Sequence, residues 1–407
     1  MNPDSPLVEP VVLSPGQGRR LVVGLLALAV VAGVATTAGM VTDGRAIGGL
    51  QRLAFSYLTA LAFVTSVAVG ALAWLLLTHL SGAVWSVALR RLLENLTRPL
   101  PLIAVLFIPV VFNLARLYPW ADPATVSADP ELTRKAVWLN PMFFTARAAV
   151  YLACWAVVAG LLARLSWQQD RSGDPDGSLL RRMRAISAWG LIVLGVTTSF
   201  AAFDWLMSLD PHWTSTIFGV YFWAGSLVSS LAALVLTVLL LQATGSLRET
   251  VTVEHLHDVG KLLFGFVIFW AYIAFSQYFL IWYANFPEET QWYILRRSGV
   301  WNVLSWALLF GHFVVPFWLL IFRGTKRSRF WLGFAAVWVL VFHYLDLYWV
   351  VMPALPGDGF RPHWVDATLA LTLVCLCGTV VARSCQAWPL VSVGDHHLAE
   401  SLAFRTS

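Results

Sequence analysis

The chain has 407 residues, of which 58% are hydrophobic and only 12% charged, with a formal net charge of +5. Soluble domains are about half apolar and about a quarter charged, so this composition belongs to a bilayer and excludes a self-contained soluble enzyme or a nucleic-acid binder. A spanning helix needs about 20 apolar residues, and ten such stretches with connections of roughly 5 to 25 residues leave no room for an extramembrane domain.

In chain order, a polar, proline-bearing N-terminal tail at 1–20 leads into spans at about 21–41, 53–77, 99–117, 140–165, 184–208, 214–242, 259–285, 298–322, 328–352 and 364–383, followed by a C-terminal tail at 384–407. The fold class expected is therefore an all-α polytopic membrane protein. The first apolar run exceeds the 7 to 15 residues of a signal-peptide core and is expected to be a retained span. No lipidation signal is expected, with Asn2 after Met1 and Arg405-Thr406-Ser407 at the other end. Eighteen of the 27 Lys and Arg lie in segments on the side of the termini and eight on the other, with Arg147 inside the fourth span. The positive-inside bias then places both termini in the cytoplasm.

Between spans 2 and 3, His79 to Asn95 mixes apolar residues with Arg90, Arg91 and Glu94. It reads either as an amphipathic helix on the cytoplasmic surface or as a cytoplasmic continuation of span 2. Cys154, Cys375, Cys377 and Cys385 fall in or at the end of apolar stretches, without the partners of a haem-attachment, zinc or iron–sulfur motif. Most of the 21 Trp and 10 Tyr are accounted for by interfacial belts.

An ionisable group inside a span is a functional candidate, with simple pairing as the alternative. At 1.5 Å per residue, Arg147 lies roughly 10 Å, Asp204 roughly 6 Å, Asp346 roughly 9 Å and His343 roughly 13 Å from the face opposite the termini. Asp366 stands near the start of span 10 on the same side, so four helices deliver charge to one layer. His343 and Asp346 are three apart and share a helix face, which makes them a candidate proton-exchanging pair. The competing reading pairs Asp346 or Asp204 with Arg147 as a structural tie. Asp210-Pro211 has the form of an N-cap followed by Pro at N1 for span 6, and His212 and Trp213 beside it are interfacial.

On the terminal side, Glu254, His255, His257, Asp258 and Lys261 form a candidate proton-collecting cluster. The alternative is a solvated helix start with Asp258 as its N-cap; a metal site is disfavoured because His255 and His257 cannot share a helix face. Between the two layers lie relay candidates, Ser276, Gln277 and Tyr278 on span 7 and Asn302, Ser305 and His312 on span 8, which would equally serve as interhelical hydrogen-bonding groups. Ligation of a b-type haem by His312 and His343 needs both imidazoles at one depth, and they sit roughly 7 Å apart along the membrane normal.

Three long segments carry a resemblance: Asp258 to Thr290, "DVGKLLFGFVIFWAYIAFSQYFLIWYANFPEET"; Phe203 to Ser226, "FDWLMSLDPHWTSTIFGVYFWAGS"; and His343 to Pro353, "HYLDLYWVVMP". The chain resembles the ActF subunits of bacterial alternative complex III, a quinol:cytochrome c oxidoreductase, within the NrfD/polysulfide-reductase-like membrane subunits. The resemblance implies two four-helix bundles, at about 53–208 and 214–352, with peripheral spans at 21–41 and 364–383, in a bacterial inner membrane. It implies partners: an NrfD-like sister subunit, a periplasmic iron–sulfur protein related to molybdopterin enzymes, multihaem and monohaem cytochromes c, and small membrane anchors. The haems and iron–sulfur clusters would reside in those partners, leaving this chain no redox centre of its own and no covalently bound cofactor. A quinone is the one ligand to consider here, and Arg147, Asp204, His343, Asp346 and Asp366 lie at the depth of a quinol site or of a proton exit. Two other functions remain: a scaffold that docks the periplasmic subunits and lipids, and an independent secondary transporter, for which Gly- or Pro-broken helices near the midplane would be expected. Pro109 and Pro316 are the main interior prolines.

Overall fold

The computed structural model describes residues 11–43, 49–357 and 362–405. Residues 1–10 of the expected N-terminal tail, and Thr406 and Ser407, lie outside the described residues. All regular structure among the described residues is helical, and ten helices are long and apolar enough to cross a membrane. They are α1 (Pro15–Thr42), α2 (Gly49–Ser81), α3 (Val84–Phe112), α4 (Pro141–Ser172), α5 (Ser178–Leu209), α6 (Phe218–Ala243), α7 (Val253–Ala284), α8 (Gly299–Ile321), α9 (Arg329–Ala354) and α10 (Trp364–Ala387). Helices α2, α4 and α7 outrun their apolar stretches; at 32 residues α4 and α7 are about 48 Å long, beyond the roughly 30 Å hydrocarbon layer.

Burial sorts the helices. The most apolar window of α2 is 83% buried and that of α1 only 17%, so α2 is an internal spine while α1 lies outside against α10. Helix α2 touches α3, α5, α6, α9 and α10; α4 packs on α3 and α5, and α6 on α5, α7 and α9. The spine is lined with Ala, Ser, Thr and Gly at its contacts, the small residues that let membrane helices approach closely. At Gly70 the main chain of α6 comes so near that a Cβ would stand 2.0 Å from the Ser226 carbonyl oxygen.

Within the stretch His79 to Asn95, the residues after Ser81 form neither a surface helix nor a continuation of α2. Helix α2 stops at Ser81, Gly82 takes φ +60°, and the chain reverses into α3, where every residue from Val87 to Thr97 is buried. The charges that made the segment look amphipathic are paired inside. Arg90 bonds Asp395 and donates to Gln169 Oε1 at 2.8 Å; Arg91 bonds Asp170 and donates to Glu94 Oε2 at 2.7 Å. Asp395 belongs to the segment after α10, which turns back to cover this end of the bundle with Leu390, Val391, Ser392 and Leu398 buried. Ser401 Oγ receives the Ala88 N–H at 3.2 Å.

Two spans are irregular. Helix α3 is interrupted around Arg98 and Phe107, near Pro99, Pro101 and Pro109, and breaks off at Asn113 before the short helix Leu114–Leu117. Helix α8 widens into a π turn at Leu309–Val314. Pro316 follows and has no N–H to give to the His312 carbonyl, and an extra residue in the turn relieves that mismatch.

Candidate functional site

Near the face opposite the termini, the charges expected in one layer separate into three groups. Arg147 on α4 holds Asp204 on α5 with two parallel bonds, Nε to Oδ2 and Nη2 to Oδ1, both 2.8 Å. Tyr151 OH donates to Oδ2 at 2.9 Å and Trp138 Nε1 to Oδ1 at 3.2 Å, while Arg147 Nη1 donates to the Trp138 carbonyl at 2.9 Å. The guanidinium also lies over the Trp138 ring, 4.2 Å from its centroid. This saturated set ties α4 to α5. Asp366, in the first turn of α10, pairs with Arg52 on α2 at 2.6 Å and accepts from Ser56 Oγ at 2.5 Å and Tyr348 OH at 3.0 Å. Arg52 falls inside the bundle because α2 begins at Gly49, earlier than its apolar run.

The third group is different. Asp346 on α9 accepts from Tyr221 OH on α6, and His343, one turn away, meets Ser66 Oγ on α2 at 2.8 Å. The two residues share a face of α9 but reach for different helices. Gly225 makes the seat for His343, since a Cβ there would lie 2.7 Å from its Cε1.

Asp346 and Tyr221 form the inner end of a cavity of about 790 Å3 bounded by α7, α8, α9 and the short helix Pro287–Arg296. Its walls are aromatic, with Trp270, Tyr293, Trp306, Phe313 and Trp349, and its polar groups are Gln277, Tyr278, Arg296, Arg297, Asn302 and Ser305. Gln277 accepts from Ser215 Oγ and donates to Tyr293 OH, both at 3.2 Å. Trp349 Nε1 donates to Ser305 Oγ at 2.8 Å. Phe275 on α7 and Trp306 and Leu309 on α8 line the cavity and are 61%, 55% and 44% exposed, so the mouth opens sideways between α7 and α8, toward lipid. A space in the range of small-molecule sites, apolar with a few convergent polar groups, is the usual form of a ligand pocket.

Arg296 is the buried cation of this cavity. It is buried and donates to the carbonyls of Trp349, Trp292 and Val350 at 3.1, 2.9 and 2.8 Å, and to no carboxylate among the described residues. Its guanidinium stacks 3.3 Å above the Trp292 ring. Burial lowers its proton affinity below the usual guanidinium range, but an Arg remains cationic at neutral pH. In the sequence Arg296 is only a loop charge; the available signal was its spacing, four residues after Trp292 and three after Tyr293, which brings both rings within its reach on a helix.

Of the relay candidates, Gln277, Tyr278, Asn302 and Ser305 meet at the cavity, whereas Ser276 and His312 do not line it. His312 is buried in the π turn behind Trp270, ring centroids 3.8 Å apart, with neither ring nitrogen bonded to a described residue. Its ring centroid lies 6.0 Å from that of His343, whose Nε2 is engaged by Ser66.

The terminal-side cluster is partitioned. Glu254 forms a two-point pair with Arg327 at 2.6 and 2.8 Å, and Lys261 pairs with Asp258. His255 Nδ1 accepts the Thr252 N–H at 3.1 Å, so Nε2–H donates to the Ser401 carbonyl at 3.0 Å. His255 is thus a clamp on the folded-back segment, and His257 is buried on a separate face. The N-cap of α7 is Thr252, not Asp258, because α7 starts at Val253, five residues before Asp258. Asp210 likewise does not cap α6: it ends the short turn Met207–Leu209, and α6 begins only at Phe218.

On the face opposite the termini, His212 pairs with the start of the short helix Pro130–Lys135. Its Nε2 lies 2.9 Å from Asp129 Oδ2 and its Nδ1 3.0 Å from Glu131 Oε2, while Lys135 Nζ reaches Glu131 and the Pro211 carbonyl, both at 2.6 Å. The hydrogen bond to Glu131, with the charges of Asp129, Glu131 and Asp210, raises the His212 pKa; Lys135 and His212 hold that of Glu131 down to about 2. A raised His pKa stabilises below its unfolded value and is lost as pH climbs through the folded one; the lowered Glu pKa stabilises above its unfolded value and is lost in acid. Limited proteolysis of the 119–135 segment should therefore be slower in the parent than in His212→Gln at pH 6, with the difference vanishing by about pH 9, above the range in which His titrates. An equal difference at both pH values would refute the latch.

No family model matches the chain, and no curated protein matches it.

Proposed function

We propose that this integral membrane protein is a subunit of a quinol:cytochrome c oxidoreductase of the alternative complex III type, and that its lateral cavity takes the ring of a quinol. The observation that carries the reading is the cavity itself: aromatic walls, a mouth toward lipid between α7 and α8, and a carboxylate with a phenol at its inner end. A quinol is a lipophilic ring with two hydroxyl groups, and its oxidation begins with loss of a proton from one of them. Asp346, with Tyr221 beside it, accepts a proton from one hydroxyl; Arg296 and Asn302 offer donors to oxygen elsewhere on the ring. The electrons pass to the iron–sulfur and cytochrome c partners expected above.

The contacts among helices support the arrangement in which α2 to α5 and α6 to α9 form two four-helix bundles flanked by α1 and α10. With both termini in the cytoplasm of a bacterial cell, Asp346 and Asp204 lie toward the periplasmic face, where protons would leave. A scaffold reading has its own support in the Arg147–Asp204 and Arg52–Asp366 groups, whose ion pairs and hydrogen bonds hold helices together.

Asp346→Asn separates the two. In a complex with intact subunit composition, quinol:cytochrome c reductase activity should fall by about 10²-fold or more, the scale of a lost general base. Unchanged turnover would leave this chain a scaffold at that position.

A further inference from the structure

At the terminal end of α2 the reversal through Gly82 leaves a notch between α2, α3 and α5. It is lined by Thr78, His79, Ser86, Arg184, Asp395 and His397, among others, and encloses about 30 Å3, roughly the room of two water-sized groups. His79 is only 5% exposed, lines the notch, and its Nε2 has no hydrogen-bond partner among the described residues. A buried imidazole without a partner is costly unless something that the protein binds supplies one. Arg184 enters from α5, exposed and with no carboxylate of a described residue in contact. Asp395 is already committed to Arg90, so the charge left to act on a visitor is positive. The first turn of α3 adds the positive end of a helix dipole.

The surroundings identify the carrier of the anion. From Arg184, the exposed side of α5 continues through Trp189, Ile192 and Val196, which are 44%, 70% and 51% exposed. Arg181 and Arg182 flank the same end and are also exposed. Cationic groups at the interface followed by an apolar stripe into the membrane match the headgroup and chains of an acidic lipid, and basic pockets between spanning helices are recurrent sites for such headgroups. Trp189 stands where tryptophans favour the interface.

We propose that this notch binds the phosphate of an anionic phospholipid, seated between His79 and Arg184 with its acyl chains along Trp189, Ile192 and Val196. The site is independent of the quinol cavity.

The test uses the full chain purified in a neutral detergent, with phosphatidylglycerol, phosphatidylcholine or inorganic phosphate added, read by native mass spectrometry and thermal midpoint. Phosphatidylglycerol should be retained in preference to phosphatidylcholine and should raise the midpoint. Arg184→Gln should weaken that retention about fivefold, the loss of one basic contact at a membrane surface, with the lipid-free midpoint unchanged because Arg184 is exposed. His79→Gln, which can still donate, should retain more lipid than His79→Leu. Equal retention of the two lipids, or equal retention by the parent and Arg184→Gln, would overturn the proposal. Stabilisation by inorganic phosphate without any by phosphatidylglycerol would assign the notch to a soluble anion and overturn the lipid assignment.

Discussion

Replacing Arg147 with Gln should destabilise the protein by about 3–5 kcal/mol, the usual penalty for removing one member of a buried ion pair. Asp204 is 1% exposed and would keep only Tyr151 and Trp138 as donors. The penalty is chiefly that of a carboxylate stranded in low dielectric, so removing the second charge should recover much of it. Arg147→Gln/Asp204→Asn is accordingly expected to unfold at a higher temperature than Arg147→Gln alone. Thermal unfolding of these two variants, of Asp204→Asn alone and of the parent in one detergent checks this. Additive losses in the double variant would mean that the pair carries no coupling and that the bidentate geometry is incidental.

The second large effect is expected at Gly70. An Ala there would put its Cβ 2.0 Å from the Ser226 carbonyl oxygen and 2.6 Å from Ser230 Oγ. A main-chain atom cannot turn away as a side chain can, so α2 and α6 must separate. Overpacking typically costs 1–3 kcal/mol, and the cost here should be at or above the top of that range. Gly160→Ala is the natural control: nothing lies within 4 Å of its added Cβ on α4, and an Ala in a helix interior gains about 0.5–1 kcal/mol over Gly. Opposite shifts in thermal midpoint are the expected result; a neutral Gly70→Ala would mean that the two helices have slack at their crossing.

The ten spans were legible because bilayer thickness imposes a length on an apolar run, and neither partners nor packing need be known to see it. Depth was legible for the same reason: Arg147 and Asp204, placed a few ångströms apart along the membrane normal, do meet. Direction around each helix was not. Arg147 and Asp204, Asp366 and Asp346 share a layer yet serve three separate groups, since the partners that decide this, Arg52 for Asp366 and Tyr221 for Asp346, lie 314 and 125 residues away. The segment before span 3 misled for a related reason. Charge spacing shows that Arg90 and Arg91 are cationic, but only the folded-back segment reveals that they are covered. The cavity was half visible, through Asp346, Gln277, Tyr278, Asn302 and Ser305; its buried cation, Arg296, sits on a ten-residue helix that no span-length argument detects.

The pairing of Arg90 with Asp395 also sets an order of events during biogenesis. The arginine is synthesised 305 residues before its carboxylate, and chains enter the membrane from the N-terminal side first. Throughout that interval Arg90 and Arg91 have Glu94 and, later, Asp170 as their acidic partners among the described residues. Helix α3 can therefore be inserted early but locked only late, after α10 has crossed and the segment behind it has folded back. The third span to be made is among the last to be finished, and its closure reports that all ten are in place.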